Sequence, residues 1–431
     1  MVDSPSQPRR RRIEPVRLPM STDSRRPAFP RSGRDLRDPT PDICAEAIRQ
    51  TLKHHAGGIR ALVLTGSLAR GEGTVAADGE LCRVLGDAEF LAVFSDGGAR
   101  PGATAMHETA TRVEAALREA LISCPITLSA VSEAYLRALR PAIFAYELRS
   151  CGRVIWGDPI VLDSIPEFSA RDISRADAWH LLCNRLIEQL EVTAPPGHDD
   201  RPVLPAARYR MIKLHLDMAT SFLVFAGAYE PTYRARSERL LTLARDPQMI
   251  SSAPFPLGQF ARAVAACTRW KLDGGDPVSE PLSWSTTLDQ AYRLWRWELL
   301  RLTNTTDALR DRALLDALAE RQSVADRMRG WLHVARRCGW HRSWRLWPRW
   351  ARLARRGSPR YLVYAAACQT LFSGRWPPSL ETAAGPADPV RDAVADLPVI
   401  RASAWPGLPQ WTDIVADIAF NYREFLVDTR A

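Results

Sequence analysis

Strand-like and helix-like spacing occupy different parts of this chain, and that separation constrains its fold more than any property of its composition. Strand-like runs fall at 59–64, 83–94 and 126–131, with a further one at 147–156, and helical segments at about 42–56, 105–121 and 132–139 lie among them. After about residue 169 the strand signals largely vanish. Helical periodicity of the apolar residues then dominates at 174–192, 205–226, 236–246, 258–268, 286–301 and 306–336. The expected fold class is therefore α+β: a small mixed-sheet domain followed by a mainly α-helical one. No internal repeat is evident.

The 431 residues suit two or three domains. Residues 1–40 are rich in Arg, Pro, Ser and Asp without apolar periodicity, which predicts a disordered basic tail. The expected divisions after it are 41–168, a helical bundle at 169–310 and a helical C-terminal region at 311–431. No apolar run is long enough for a membrane span, and the uncharged segment 218–229 reads as a buried helix. The basic cluster 9–12 runs into Pro-rich polar sequence rather than an apolar stretch, so the expectation is a cytoplasmic protein without a secretory signal. Eight scattered cysteines lack the close pairs of a zinc site and read as mostly buried thiols. The histidines show no ligand spacing.

The net charge of +9 is unevenly placed. Residues 1–40 carry ten Arg against five acids, residues 327–356 carry ten Arg and no acid, and the remainder is mildly acidic. A catalytic core that grips a long polyanion should itself be basic, so long nucleic acid is disfavoured as a partner.

The stretch that carries chemistry is Thr65-Gly66-Ser67-Leu68-Ala69-Arg70-Gly71-Glu72, followed by Gly86-Asp87-Ala88-Glu89-Phe90. A strand that ends in Gly-Ser and turns into a helix offers backbone N–H groups, a small hydroxyl and a positive helix end to a triphosphate, with Gly66 permitting close approach. Asp87 and Glu89 project from one face of the next strand about 7 Å apart. Paired carboxylates there call for a cation, and Mg²⁺ bridging carboxylates and phosphate oxygens meets that need.

Gly-Ser-Leu-Ala-Arg-Gly-Glu followed by Asp-Ala-Glu within an apolar strand resembles the signature of the DNA polymerase beta-like nucleotidyltransferase superfamily, which includes the minimal and aminoglycoside-type nucleotidyltransferases. The resemblance covers about residues 41–168 and extends to the run from Tyr146 through Cys151-Gly152-Arg153 to Pro159. It implies phosphate binding by Gly66 and Ser67, Mg²⁺ held by Asp87 and Glu89, and transfer of a nucleoside monophosphate from an NTP to a hydroxyl acceptor, a small molecule or glycan being favoured.

Two departures accompany it. Ser67 and Asp87 stand farther apart than is usual, which implies an insertion at 73–81. The later strand where the family commonly places a third carboxylate reads Ile126-Thr127-Leu128-Ser129-Ala130-Val131 and holds no acid, leaving activation of the acceptor to metal alone or to an acid such as Glu133 or Glu147. The alternative reading is a catalytically weak or inactive nucleotide-binding scaffold or sensor.

Arg70 and Glu72 read as helix-start and packing residues. In the helical part, Lys213, Tyr233 and Arg236 are candidates to reach phosphates across a cleft, against the alternative of surface cations and a packed tyrosine. At 340–356, Arg342, Arg345, Arg349, Arg352 and Arg356 share one helical face, Trp340, Trp344, Trp347 and Ala351 another, and Pro348 kinks or restarts the helix. This pattern suits peripheral membrane contact, or a scaffold docking on a partner; tryptophans packed in the helical part with a solvated Arg stripe is an equal reading.

Overall fold

The computed structural model describes residues 38–192, 205–273, 282–305, 309–339, 344, 346–373, 389–401 and 411–426. The basic tail, except for its last three residues, and Trp340, Arg342 and Arg345 lie outside them. The chain is a mixed helix-and-sheet protein.

Helix α1 (Thr40–His55) leads into β1 (Ile59–Thr65), the single turn α2 (Gly66–Ala69), β2 (Val75–Asp78), β3 (Leu81–Val84) and β4 (Ala88–Phe94). Then come α3 (Ala103–Glu119), β5 (Ile122–Ser123), β6 (Ile126–Ser132), α4 (Glu133–Arg137), α5 (Ile143–Cys151) and β7 (Arg153–Gly157). The main sheet has the order β6-β4-β1-β7, with β4 parallel to β6 and β1 antiparallel to both β4 and β7. A small second sheet has the order β2-β3-β5.

Because β1 and β4 are covered on both faces, they read as nearly continuous apolar runs. Leu62, Leu64, Phe90 and Phe94 face Ile43 and Ala47 of α1 and Met106 and Val113 of α3. Their alternating neighbours Ala61, Val63, Leu91 and Val93 face Leu136 of α4 and Leu148 of α5.

Three expectations for this part need correcting. The strand expected over 83–94 is broken, because the chain bends at Leu85 and Gly86 and only residues from Ala88 join the main sheet. The expected insertion at 73–81 is largely a hairpin of β2 and β3, closed by Gly79 and Glu80 with Gly79 at φ +63°. The run expected as a strand at 147–156 begins as helix: Ile143, Ala145 and Leu148 of α5 are buried on the sheet, and extended backbone starts only at Arg153.

Every element described after Gly157 is helical: α6 (Arg175–Leu190), α7 (Pro205–Phe225), α8 (Tyr233–Leu243), α9 (Pro247–Ser252), α10 (Leu257–Asp273), α11 (Trp284–Thr303), α12 (Asp311–Glu320), α13 (Val324–Cys338), α14 (Trp347–Arg356), α15 (Pro359–Ser373), α16 (Pro389–Ala395) and α17 (Trp411–Phe425). The segment 218–229 contributes the buried end of α7, with Met218 and Phe222 against Trp179 and Leu182 of α6, Trp295 of α11 and Tyr364 of α15 in one core. The helix expected over 306–336 is two helices, since the Ser323 hydroxyl accepts the Asp326 N–H at 3.1 Å and caps a new start. Pro348 restarts the chain in the first turn of α14, where its missing N–H is not needed. Among the described residues no helix is long and apolar enough to cross a membrane.

Glu298 of α11 is fully buried against α7, where Ser221 Oγ donates to its Oε1 at 2.6 Å while Oε2 has no partner. Burial pushes this carboxyl up to about 8. The folded protein therefore binds one proton more than the unfolded chain between the ordinary Glu range and pH about 8, so stability falls as pH rises through that window and then levels. We expect Glu298→Gln to remove this slope, at most about 1.4 kcal/mol per pH unit, and to match or exceed the wild type above pH 8. Urea titrations across the window check this, and an unchanged slope in the variant would refute it.

Candidate active site

The end of β1 makes a sharp turn because Gly66 sits at φ +69°, a conformation that favours glycine. A Cβ there would also come within 2.9 Å of the Glu89 carboxylate, so the turn packs closely on Glu89. Thr65 pairs with Glu89 across β1 and β4, and Ser67 Oγ lies 4.0 Å from the position a Cβ on Gly86 would occupy. The four residues singled out in the sequence, Gly66, Ser67, Asp87 and Glu89, are thus gathered at one end of the main sheet although twenty residues separate Ser67 from Asp87.

Thr127 of β6 stands between the two acids. It is the register partner of Glu89, and its hydroxyl donates to Asp87 Oδ2 at 3.1 Å. Asp87 and Ser129 are exposed, Glu89 half-buried. The β6 position that could face the pair with a carboxylate therefore carries a hydroxyl. Neither alternative acid fills the gap. Glu133 opens α4 and pairs with Arg60 at 3.0 Å, and Glu147 is committed to two arginines.

As a donor set, Asp87 in the bend before β4 and Glu89 on β4 supply hard oxygens, with the Ser67 hydroxyl beside Gly86. Mg²⁺ is commonly held by one or two carboxylates and completed by substrate phosphates and water, so these residues fit it. Among the described residues there is no cluster of three or more His, Cys, Asp or Glu able to hold a metal.

The helical part packs against the turn that carries Asp87 and fixes it. Tyr209 of α7 donates its hydroxyl to the Leu85 carbonyl at 3.0 Å, and Leu85 packs into a small core with Ile212, Leu216 and Trp270. Lys213, one turn along α7, lies 5.4 Å from the Tyr209 ring centre. Burial and then Arg185 lower its ammonium, while Asp217, Glu188 and Asp87 act in the opposite direction. Lys271 of α10 donates to Thr74 Oγ1 at 3.1 Å, and burial, then Lys213 and Arg70, push it down to about 8.

After the Gly66–Ser67 turn comes a buried ionic joint. Arg70 reaches Glu147 at 2.5 Å and Glu72 at 3.2 Å, and Glu72 accepts the N–H groups of Tyr233 and Arg234 at 3.0 and 3.1 Å, at the positive end of α8. Arg236 pairs with Glu147 and also donates to Thr220 Oγ1 and the Glu230 and Pro231 carbonyls. Burial works to raise the Glu147 carboxyl, but Arg236, Arg70 and the Tyr229 hydroxyl outweigh it and hold it below the usual range. Arg70 and Glu72 are packing residues as the sequence suggests. Arg236 is saturated by protein partners, and the Tyr233 ring lies within 5.5 Å of Arg70, Arg236 and Lys271, so two of the three candidate phosphate ligands in the helices are engaged within the protein.

Sequence reasoning placed Thr127 on the strand facing the acids and missed Tyr209 and Lys271. A signal for the last was present: the chain has only three lysines, Lys53, Lys213 and Lys271, among 58 basic residues. A cavity of about 700 Å³ opens elsewhere between α7, α8, α10 and α11, lined by His215, Arg234, Glu238, Arg262 and Arg269 among others but by none of the four site residues.

No protein-family model, curated protein or solved structure matches the chain.

Because Arg70 and Arg236 are both buried, Glu147→Ala should destabilise the protein by about 3–5 kcal/mol, the cost of breaking a buried pair from one side. Arg60→Ala, which loses the largely exposed pairs with Glu133 and Asp158, should cost under about 1 kcal/mol. Equal shifts of the two denaturation midpoints would contradict the role assigned to the joint.

Proposed function

We propose that the chain is a Mg²⁺-dependent nucleotidyltransferase that moves a nucleoside monophosphate from an NTP to a hydroxyl acceptor, a small molecule or a glycan, with release of pyrophosphate. The observation that carries this reading is the packing of the Gly66–Ser67 turn against Glu89 and the Gly86–Asp87 bend. In this reading residues 41–168 form the nucleotidyltransferase domain, 169–310 a helical bundle and 311–431 a helical C-terminal region. The protein acts in the cytoplasm. The mildly acidic balance outside the two Arg-rich segments supports a small acceptor over long nucleic acid.

The division of labour follows from position. The backbone N–H groups and hydroxyl at Gly66 and Ser67 anchor the phosphates, and Lys213 on the facing helix neutralises them from the other side. Asp87 and Glu89 hold Mg²⁺, which when bound neutralises charge developing on the transferring phosphoryl group. Thr127 orients Asp87 through its hydrogen bond but cannot accept the acceptor's proton as a carboxylate would.

That hydroxyl favours a second reading, a weakly catalytic or inactive nucleotide-binding scaffold or sensor. Binding and chemistry separate the two. A Mg²⁺-dependent thermal shift with one or more NTPs should be seen for the wild type, where ligand at about 100 times its Kd adds about 2.7 kcal/mol, and be lost in Asp87→Asn. No shift with any NTP would refute both readings. Given binding, pyrophosphate release dependent on a hydroxyl acceptor establishes the enzyme, and its absence the sensor. If the missing base limits turnover, Thr127→Asp should raise it, with about 10²- to 10⁴-fold as the ceiling.

A further inference from the structure

Helices α13 and α14 form an antiparallel pair. Arg327 donates to the Arg355 carbonyl at 3.3 Å toward one end, and the Trp331 and Trp350 rings lie 6.0 Å apart toward the other. Trp331, Trp350 and Leu353 turn inward and are buried, with the Trp350 indole N–H donating to the Pro398 carbonyl at 2.9 Å. This half of the tryptophan pattern is ordinary packing. So are two of the arginines placed on the expected cationic face: Arg349 donates to the Ala395 and Leu397 carbonyls, and Arg356 pairs with Asp396.

The outward face is different. Val324, Met328 and Leu332 recur every fourth residue on α13, at 76%, 54% and 37% exposure, a stripe the sequence reading did not single out. On α14, Trp347 is 48% exposed and Ala351 and Arg355 continue its line. At about 100° per residue, the α13 stripe lies on one flank of Trp331, and the Trp347 line lies on the same-handed flank of Trp350. Each helix of the pair therefore presents an exposed line bearing large apolar side chains, with Trp344, 64% exposed, preceding the second.

Cations accompany them. Arg329, Arg336, Arg352 and Arg355 are exposed along these helices, and residues 327–356 contain ten Arg and no acid. Aliphatic side chains and tryptophans in a setting of arginines match the interface between acyl chains and anionic headgroups. We propose that the outward face of the α13–α14 pair docks on an anionic membrane surface, with Met328, Leu332 and Trp347 entering the headgroup boundary and Arg352 and Arg355 meeting the lipid charge. This surface is independent of the nucleotide reading and moves the contact from the single segment 340–356 to a two-helix face.

The test is flotation of the full chain with phosphatidylcholine vesicles that contain phosphatidylglycerol, and with phosphatidylcholine alone. Wild-type protein should float with the anionic vesicles and only weakly with the neutral ones. Arg352→Gln with Arg355→Gln should weaken partitioning about 25-fold, at roughly fivefold per cation, and Met328→Ser with Leu332→Ser about tenfold or more. All four positions are exposed, so both variants should keep the wild-type melting temperature. Failure of the wild type to float, or equal flotation of wild type and both variants, would overturn the proposal. So would a self-associated wild type that the variants convert to monomer without any vesicle binding, which would assign the face to a second copy of the chain.

Discussion

The geometry of this protein depends on charge held where water does not reach. Arg70 leaves the turn after β1, Glu147 comes from α5 and Arg236 from α8, and their pairing joins the sheet to the helical part at a point where none of the three could be left alone. Desolvation makes such pairs poor contributors to net stability but strict determinants of arrangement, because one partner without the other is far worse than both together. Glu72 extends the joint by accepting the first N–H groups of α8, so the loop that follows Gly66 and Ser67 is tied to a helix end. A separate clip, from Tyr209 to Leu85, ties the bend before Asp87 to α7. The two halves of the candidate site are thus each secured by a different helix.

This arrangement sets unlike charges on the two sides of the Leu85–Asp87 bend. The sheet side carries Asp87 and Glu89; the helical side carries Lys213 and Lys271 among aromatic rings. A ligand with both phosphate oxygens and an associated cation complements both sides together, whereas a simple anion would meet the carboxylates and a simple cation the lysines. The same asymmetry explains the importance of Thr127, which leaves the acidic side with two carboxylates rather than three.

Much of the site was legible because its signals are local. A strand that ends in Gly-Ser and a buried strand headed by Asp-x-Glu need only alternation and turn chemistry to be read, and the structure brings both to one sheet end. Gly79 of the two-residue turn that closes the hairpin at 75–84 was an equally local cue that passed unread. The run 147–156 looked extended throughout because Val154, Ile155 and Trp156 suit a strand, whereas packing of Ile143, Ala145 and Leu148 on the sheet keeps the chain helical through Cys151. Tyr209 and the Arg70–Glu147–Arg236 joint had no local signature, since each acts on a residue distant in the chain.

The near-exclusive use of arginine has a consequence for how the molecule answers a change in acidity. Guanidinium groups do not release protons in the accessible range, so most of the protein's positive charge is a constant. Lysine is the exception, and two of the three lysines, Lys213 and Lys271, lie in the helical part, where burial lowers both and pushes Lys271 down to about 8. As the medium passes from neutral to mildly alkaline, the surface field of the protein stays nearly fixed, while Lys271 beside Thr74 sheds positive charge and Glu298 in the helical core gains negative charge. The alkaline response is thus written in two buried groups on different helices, and the one beside the candidate site is the one an anionic ligand would register.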